Sequence, residues 1–75
     1  MNLMKRSLSL DGHATSVALE REFWAVLDAA ATQNQQSLAG LIGEIDTARG
    51  ATPLASALRV WALQHASGGA GLPQA

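Results

Sequence analysis

Hydrophobic and polar positions alternate in the N-terminal third of the chain. From residue 14 to residue 19, every second position carries a larger side chain: Thr15, Val17 and Leu19. This period of two is typical of a short β-strand with one buried face. The spacing becomes helical from Glu20 onward. So short a chain offers one strand few partners, and the pattern therefore predicts that a second copy of the protein pairs with it.

A second alternating segment lies just upstream, over residues 7–10. Asp11-Gly12 separates the two segments and is one of the strongest signals for a two-residue hairpin turn. In the register that this turn implies, Leu10 faces His13, Leu8 faces Thr15 and Arg6 faces Val17. One face is then apolar (Leu8, Leu10, Val17, Leu19), and the other is small and polar (Lys5, Ser7, Ser9, Ala14, Ser16, Ala18). The pattern predicts a hairpin, with a loose arm over residues 1–12 as the alternative.

Two segments with helical periodicity follow the alternating region. The first is predicted from about Glu20 to about Gln33, and its apolar positions are Phe23, Trp24, Val26, Leu27, Ala30 and Ala31. Asn34 is expected to follow it in a left-handed conformation. The second runs from its N-cap, Ser37, to Arg49-Gly50, with apolar residues at helical spacing: Leu38, Leu41, Ile42 and Ile45. Gly40 and Gly43 indicate either a close approach to another helix or simple tolerance of glycine.

A third helix is predicted from about Pro53 to about His65, with Thr52 as its N-cap. Its apolar positions surround it almost completely: Leu54, Ala57, Leu58, Trp61 on one side, and Val60 and Leu63 on another. Such a helix is expected to be buried on more than one side. The glycine-rich residues 66–75 predict a flexible C-terminal tail, which leaves residues 5–65 as the folded domain.

The composition narrows the possible classes of protein. The chain has 75 residues, a formal net charge of −1 and no cysteine, and 48% of its residues are hydrophobic. A domain of this size is marginally stable alone, so its apolar content favours oligomerisation. The absence of cysteine excludes disulfides and thiolate metal sites. No apolar run has the length of a signal peptide or a membrane span, and a cytoplasmic protein is expected.

The titratable side chains form no catalytic pattern. His13 and His65 are interpreted as a turn residue and a helix-end residue rather than as metal ligands, and no nucleophile-elbow or phosphate-loop motif occurs in the sequence. The chain is therefore expected to be no enzyme and to need neither a cofactor nor a metal. Asp46 is expected to pair with Arg49 at i, i+3; alternatively, Asp46 or Glu44 pairs with Arg59 across two helices.

The order of these elements resembles the ribbon-helix-helix domain of small bacterial proteins. The resemblance covers about residues 5–63 and rests on the order and spacing of short pieces: Lys5-Arg6-Ser7, Gly12-His13, Thr15-Ser16-Val17, Leu19-Glu20, Phe23-Trp24, Leu41-Ile42, Glu44-Ile45-Asp46 and Leu54-Ala55-Ser56-Ala57-Leu58-Arg59-Val60. It implies a mostly α-helical fold with a short β element. Two chains would form an intertwined homodimer around an intermolecular antiparallel ribbon, which the hairpin would extend to four strands, with a third C-terminal helix.

The resemblance also implies a DNA-binding transcriptional regulator whose ribbon enters the major groove. The implied partners are a second copy and double-stranded DNA, or else another protein, with no role for a membrane. The implied DNA contacts are Lys5, Arg6, Ser7, His13, Ala14, Ser16 and Ala18 at the ribbon, and Ser37 and Leu38 at the start of the second helix. The implied dimer interface consists of Val17, Leu19, Phe23, Leu41, Ile42, Ile45, Leu58 and Trp61.

Two features of the ribbon favour an alternative function. Family members often carry a longer polar side chain at the positions matching Ala14 and Ala18, and of these ribbon positions only Ser16 keeps a hydrogen-bond donor. A four-stranded sheet would also measure about 14 Å between its outer strand axes, against a major groove about 12 Å wide. The alternative is a dimerisation or protein-interaction module that keeps the fold without specific DNA reading.

Overall fold

The computed structural model describes residues 3–69, which form a two-stranded antiparallel sheet and three helices. In chain order the elements are β1 (Leu3–Leu10), β2 (His13–Glu20), α1 (Arg21–Gln33), α2 (Leu38–Ala48) and α3 (Leu54–Gly69). This order confirms the prediction of a mostly α-helical fold with a short β element.

The turn between β1 and β2 explains why the two strands pair. Asp11 and Gly12 have φ angles of 51° and 79°, and positive φ at both central residues defines the type I′ turn that Asp-Gly favours. The strands pair along their whole length in the predicted register, which starts with Leu10 opposite His13. The predicted hairpin is confirmed, and the alternative of a loose arm is wrong for residues 3–12.

The hairpin has two faces of opposite character. The inner face packs against the helices and includes Leu10, Val17 and Leu19, which are 8%, 5% and 0% exposed. The outer face points away from that core, and none of its side chains is buried: Leu3, Lys5, Ser7, Ser9, Ala14, Ser16, Ala18 and Glu20. A slip of one residue would exchange the two faces, so the apolar pattern and the turn specify the same register.

The first helix begins one residue after its predicted start, and the second begins at its predicted N-cap. α1 follows Glu20, and α2 follows Ser37, whose Oγ accepts a hydrogen bond from the Gly40 amide at 2.9 Å. The left-handed residue after α1 is Gln35, with φ 56°, whereas Asn34 has φ −90°. The prediction for Asn34 was therefore wrong by one residue, because the backbone keeps a negative φ at Asn34 and enters the left-handed region at the next residue.

The glycines of α2 lie in open surroundings within one chain. A Cβ added at Gly43 would meet no other atom within 4 Å, and one added at Gly40 would meet only the side chains of Ser37 and Gln36. Neither glycine lies at a close approach between helices in the part of the chain that the structure describes. Of the two interpretations of these glycines, simple tolerance is the one that fits.

The third helix differs from its prediction at both ends. It begins at Leu54, one residue late, and it ends at Gly69 rather than near His65. Residues 66–69 of the predicted tail are thus helical, because the glycine penalty of about 1 kcal/mol is too small to stop the helix earlier; residues 70–75 lie outside the described range. Val60 and Leu63 are 52% and 62% exposed, so within one chain α3 is not buried on several sides.

One hydrophobic core joins the sheet to the helices. α2 packs against β1, α3 packs against β2, and every pair of helices is in contact. The largest side chains that are under 2% exposed come from β2 and from all three helices: Leu19, Trp24, Leu27, Ile42 and Leu58. The Trp24 Nε1–H donates to the Met4 carbonyl oxygen at 2.7 Å. The indole ring thus fills the core while its one polar atom ties α1 to β1.

Ion pairs add connections at the edge of this core. Within residues 3–69, Arg6 pairs with Asp28 at 3.1 Å, Arg49 with Asp46 at 2.6 Å and Arg59 with Glu20 at 3.0 Å. The predicted i, i+3 pair is confirmed, and the alternative of Asp46 or Glu44 with Arg59 is wrong because Arg59 pairs with Glu20 at the end of β2. All six side chains are partly exposed, so solvent screens each pair and its contribution to stability is small.

The Arg59 guanidinium is expected to hold the pKa of Glu20 below its ordinary value of 4.5, chiefly through its hydrogen bond to the carboxylate. A lowered pKa in the folded state means that this contact stabilises the fold above pH 4.5 and is lost as the pH falls through the folded-state pKa. A carbon-detected NMR titration of the Glu20 carboxyl group measures this shift. Arg59→Gln should return the pKa towards 4.5, and Arg49→Gln should leave it unchanged. Equal pKa values in the natural protein and Arg59→Gln would contradict the assignment.

Candidate nucleic-acid interface

The outer face of the hairpin is a polar surface that the helices leave open. Lys5, Ser7, Ser9, Ala14 and Ser16 are exposed, and Ala18 is half-buried. These residues come from both strands and meet on one face because they occupy alternate positions in a common register. The structure thus brings together six of the residues expected on the small, polar face.

The side chains of this outer face are short, and several of them carry hydroxyl groups. The Oγ atoms of Ser7 and Ser16 lie 3.3 Å apart across the two strands. A serine hydroxyl both donates and accepts hydrogen bonds, and it serves for either kind of base edge. An alanine methyl contacts a thymine methyl but cannot tell the other bases apart. The face is therefore suited to a close approach of its backbone, with little capacity for reading a base sequence.

The charge on the outer face is low, because the arginine of β1 turns inward. Arg6 lies on the inner face, where its Nη1 is 3.1 Å from Asp28 Oδ1 and its guanidinium carbon is 4.7 Å from the centre of a Trp24 ring. Lys5 is thus the cation that β1 presents on the outer face. The expected phosphate contact of Arg6 is not brought to this face, and its role stays a prediction. The alternation of the sequence already carried this signal, since Arg6 shares its parity with Leu8.

The other expected DNA contacts lie away from the outer face. His13 is exposed beside the turn, at an inner-face position of β2. Ser37 uses its hydroxyl to cap α2, and Leu38 is half-buried at the first position of that helix. A helix N-terminus has free amides that attract anions. Their contacts to phosphate stay predictions.

The expected dimer-interface residues are mostly internal to one chain. Buried within the single chain are Val17, Leu19, Leu41, Ile42, Ile45 and Leu58. Phe23 and Trp61 are half-buried. Leu19, Ile42 and Leu58 are 0% exposed, so in this conformation they leave no surface for a partner to cover. Their part in a dimer stays a prediction.

An open apolar groove between α2 and α3 was missed by the sequence analysis. Its volume is about 480 Å³, and its lining includes Ile45, Ala48, Val60 and Trp61. The Trp61 ring stacks on His65 with 4.8 Å between ring centres. The available signal was the placement of Val60 on the side of α3 opposite Leu58. The lining also includes Glu44 and Arg49, and residues 3–69 contain no cluster of three or more His, Asp or Glu that could bind a metal.

Comparison with known proteins identifies the fold. The family model described as a ribbon-helix-helix domain matches residues 3–66, which include both strands and most of α3. This family has a non-enzymatic DNA-binding fold. Searches among curated proteins and solved structures found no match. No helix within residues 3–69 is long and apolar enough to cross a membrane.

Proposed function

Because the chain belongs to the ribbon-helix-helix domain family, whose members are generally DNA-binding regulators, we propose that it is a homodimeric DNA-binding transcriptional regulator of a bacterial cytoplasm. The observation that carries the proposal is the open outer face of the hairpin. The helices cover the inner face, while Ser7, Ser9 and Ser16 remain exposed. A β-ribbon is one of the two elements that the major groove admits.

The proposed complex draws its affinity from the DNA backbone more than from base reading. Lys5 is the exposed cation of the outer face, and three of the four arginines are held in ion pairs. Phosphate contacts supply affinity and register, and base contacts supply sequence preference. A homodimer with two copies of Lys5 is therefore expected to bind DNA weakly, with a preference set mainly by serine hydroxyls and alanine methyls.

Salt dependence tests this proposal. With two lysines in contact with phosphate, the logarithm of the binding constant should fall with the logarithm of salt concentration with a slope of about −2, which is about a tenfold loss between 50 and 200 mM salt. Lys5→Ala should weaken binding and bring the slope close to zero. Arg49→Gln removes the same charge from the helical layer and should leave the slope unchanged. Fluorescence anisotropy with labelled mixed-sequence duplexes measures both. Absence of binding at low salt, or a slope that Lys5→Ala does not alter, would contradict the proposal.

The second candidate function is a dimerisation or protein-interaction module. The weak charge of the outer face favours it, because nucleic-acid-binding surfaces are usually basic and this chain carries a net charge of −1. This function predicts a stable dimer that does not bind DNA at any salt concentration. The anisotropy experiment therefore separates the two candidates directly.

A further inference from the structure

Two helix faces lie side by side in the open groove between α2 and α3. The lining residues of α2 recur at i, i+3, i+4 and i+7, and they are Leu41, Glu44, Ile45 and Ala48. Those of α3 have the same spacing, and they are Ala57, Val60, Trp61 and Gln64. This spacing marks one continuous face of a helix. The groove therefore runs along about two turns of each helix, or about 10 Å.

The walls of the groove are mostly apolar and only partly covered. Leu41 and Ile45 are 2% and 7% exposed, whereas Val60 is 52% exposed. Trp61 is half-buried, and its ring stacks on that of His65 with 10° between the ring planes. A ring already held in one orientation loses little freedom when a partner covers it, and tryptophan is enriched among the residues that dominate binding energy. An apolar groove between two helices is the kind of surface that receives an amphipathic helix.

The two charged residues that line the groove differ in their partners. Arg49 donates to Asp46 at 2.6 Å and to the Thr52 carbonyl oxygen at 2.7 Å, so its charge is compensated. Glu44 accepts a hydrogen bond from the neutral Gln36 amide at 3.1 Å and forms no ion pair within residues 3–69. A helix docked on the groove would remove water from this carboxylate, and a cation opposite it is then favoured.

The helices of a second copy do not supply that cation. The exposed apolar side of α3, with Val60 and Leu63, belongs to a segment without lysine or arginine, since neither occurs in residues 60–75. The same absence excludes the chain beyond α3. The groove-lining face of α2 carries Glu44 itself, and the apolar face of α1 is buried in the core of its own chain.

We infer that the groove binds one amphipathic helix of a different protein, with a lysine or arginine opposite Glu44 and apolar side chains between α2 and α3. Trp61 is the expected anchor of this contact, because it is the largest side chain that lines the groove. The lining residues come from the helical layer, so the occupant leaves the outer face of the hairpin free. The inferred interaction is therefore separate from the proposed DNA binding and does not rest on it.

Two synthetic peptides test the charge of the occupant. The first is a labelled helical peptide of about 18 residues with leucines at i, i+3, i+4 and i+7 and one lysine beside them. The second has glutamate in place of that lysine. Fluorescence anisotropy with the full chain should show about fivefold tighter binding of the lysine peptide. The peptide should also change the emission of Trp61, whereas Trp24 is 1% exposed and lies out of its reach.

Charge reversal at Glu44 assigns this preference to the groove. Glu44→Lys should reverse the preference, so that the glutamate peptide binds about fivefold more tightly. Glu22→Lys is the matched control, because it makes the same charge change at an exposed position in the first turn of α1. It should keep the preference of the natural protein. Equal affinities of the two peptides for the natural protein, or a preference that Glu44→Lys does not reverse, would overturn the inference.

Two substitutions on α3 test the position of the occupant. Val60 and Leu63 are 52% and 62% exposed, so asparagine at either position should leave the chain folded, as circular dichroism would show. Val60 lines the groove and Leu63 does not. Val60→Asn should weaken binding of the lysine peptide about tenfold, because it places a polar group under the docked helix. Leu63→Asn should change it by about twofold or less. Equal losses in the two variants would contradict the assignment to the groove.

Sedimentation and DNA binding distinguish the remaining occupants. If the natural protein is a dimer and Val60→Asn is a monomer at the same concentration, a second copy fills the groove and the inference is overturned. No saturable binding of either peptide up to about 1 mM would also overturn it. Duplex DNA should bind equally to the natural protein and Val60→Asn. If neither binds DNA while the lysine peptide still binds the natural protein with its preference, the groove assignment stands and the regulatory function fails.

Discussion

Replacing Trp24 by alanine is expected to cost about 3–5 kcal/mol of unfolding free energy, which would leave the isolated chain largely unfolded. Trp24 is 1% exposed and is among the largest fully buried side chains of the core. Its removal opens a cavity and also leaves the Met4 carbonyl oxygen without the indole donor at 2.7 Å. A chain of 75 residues has a total stability of only about 4–11 kcal/mol. The loss is therefore comparable with the stability of the whole domain.

Urea denaturation followed by far-ultraviolet circular dichroism measures this loss. Trp24→Phe is the matched variant, because it keeps one aromatic ring in the core while it removes the hydrogen bond to Met4 and the rest of the indole. It should cost about 1–3 kcal/mol, from the lost hydrogen bond and the smaller side chain in the core. Phe23→Ala, at the half-buried neighbouring position, should cost less than Trp24→Ala. A loss below about 1 kcal/mol for Trp24→Ala would contradict the assigned core position.

Leu58→Ala is expected to cost about 2–5 kcal/mol, because the side chain is 0% exposed and lies where α3 meets the rest of the core. Leu63→Ala on the same helix is the control, since Leu63 is 62% exposed and its truncation should change the stability by about 0.5 kcal/mol or less. Equilibrium unfolding at two protein concentrations separates this effect from dimerisation, because the stability of a dimer rises with concentration. Equal losses in the two variants would mean that α3 is peripheral to the core.

The contrast between these two leucines shows what helical periodicity can and cannot determine. Leu58 and Leu63 were both recognised as apolar positions of the third helix, and the pattern predicted burial on more than one side. Only the packed structure separates them, because a helix in contact with α1, α2 and β2 buries just the side that those elements reach. The exposed side of α3, with Val60 and Leu63, is a surface that another molecule could cover.

Arg6 shows a second limit of prediction from local sequence patterns. Its position was expected to supply a phosphate contact, yet its side chain lies between Asp28 and the ring of Trp24. The alternation of β1 indicated the inward direction, because Arg6 stands between Met4 and Leu8 on the same face. What the alternation could not supply was the partner, because Asp28 is 22 residues further along the chain. The inward placement of Arg6 follows when the face predicted by the alternation is given more weight than the positive charge of the side chain.

The sequence by itself determined the hairpin, its register, the three helices and the N-cap of α2. These features depend on neighbouring residues: Asp11-Gly12 favours one turn, strand parity sorts the faces, and Ser37 caps the helix that follows it. The family resemblance was legible for the same reason, since it consists of the order and spacing of local elements.

The tertiary structure alone decided which apolar faces are covered and which charges are neutralised. The pairs Arg6–Asp28 and Arg59–Glu20 join residues far apart in sequence, and they form only after the helices have packed. They remove two arginines from the positive charge that the chain could present to DNA and leave Lys5 on the outer face. The physical reason is that a local pattern sets the direction of each side chain, whereas its partners depend on how distant elements come together.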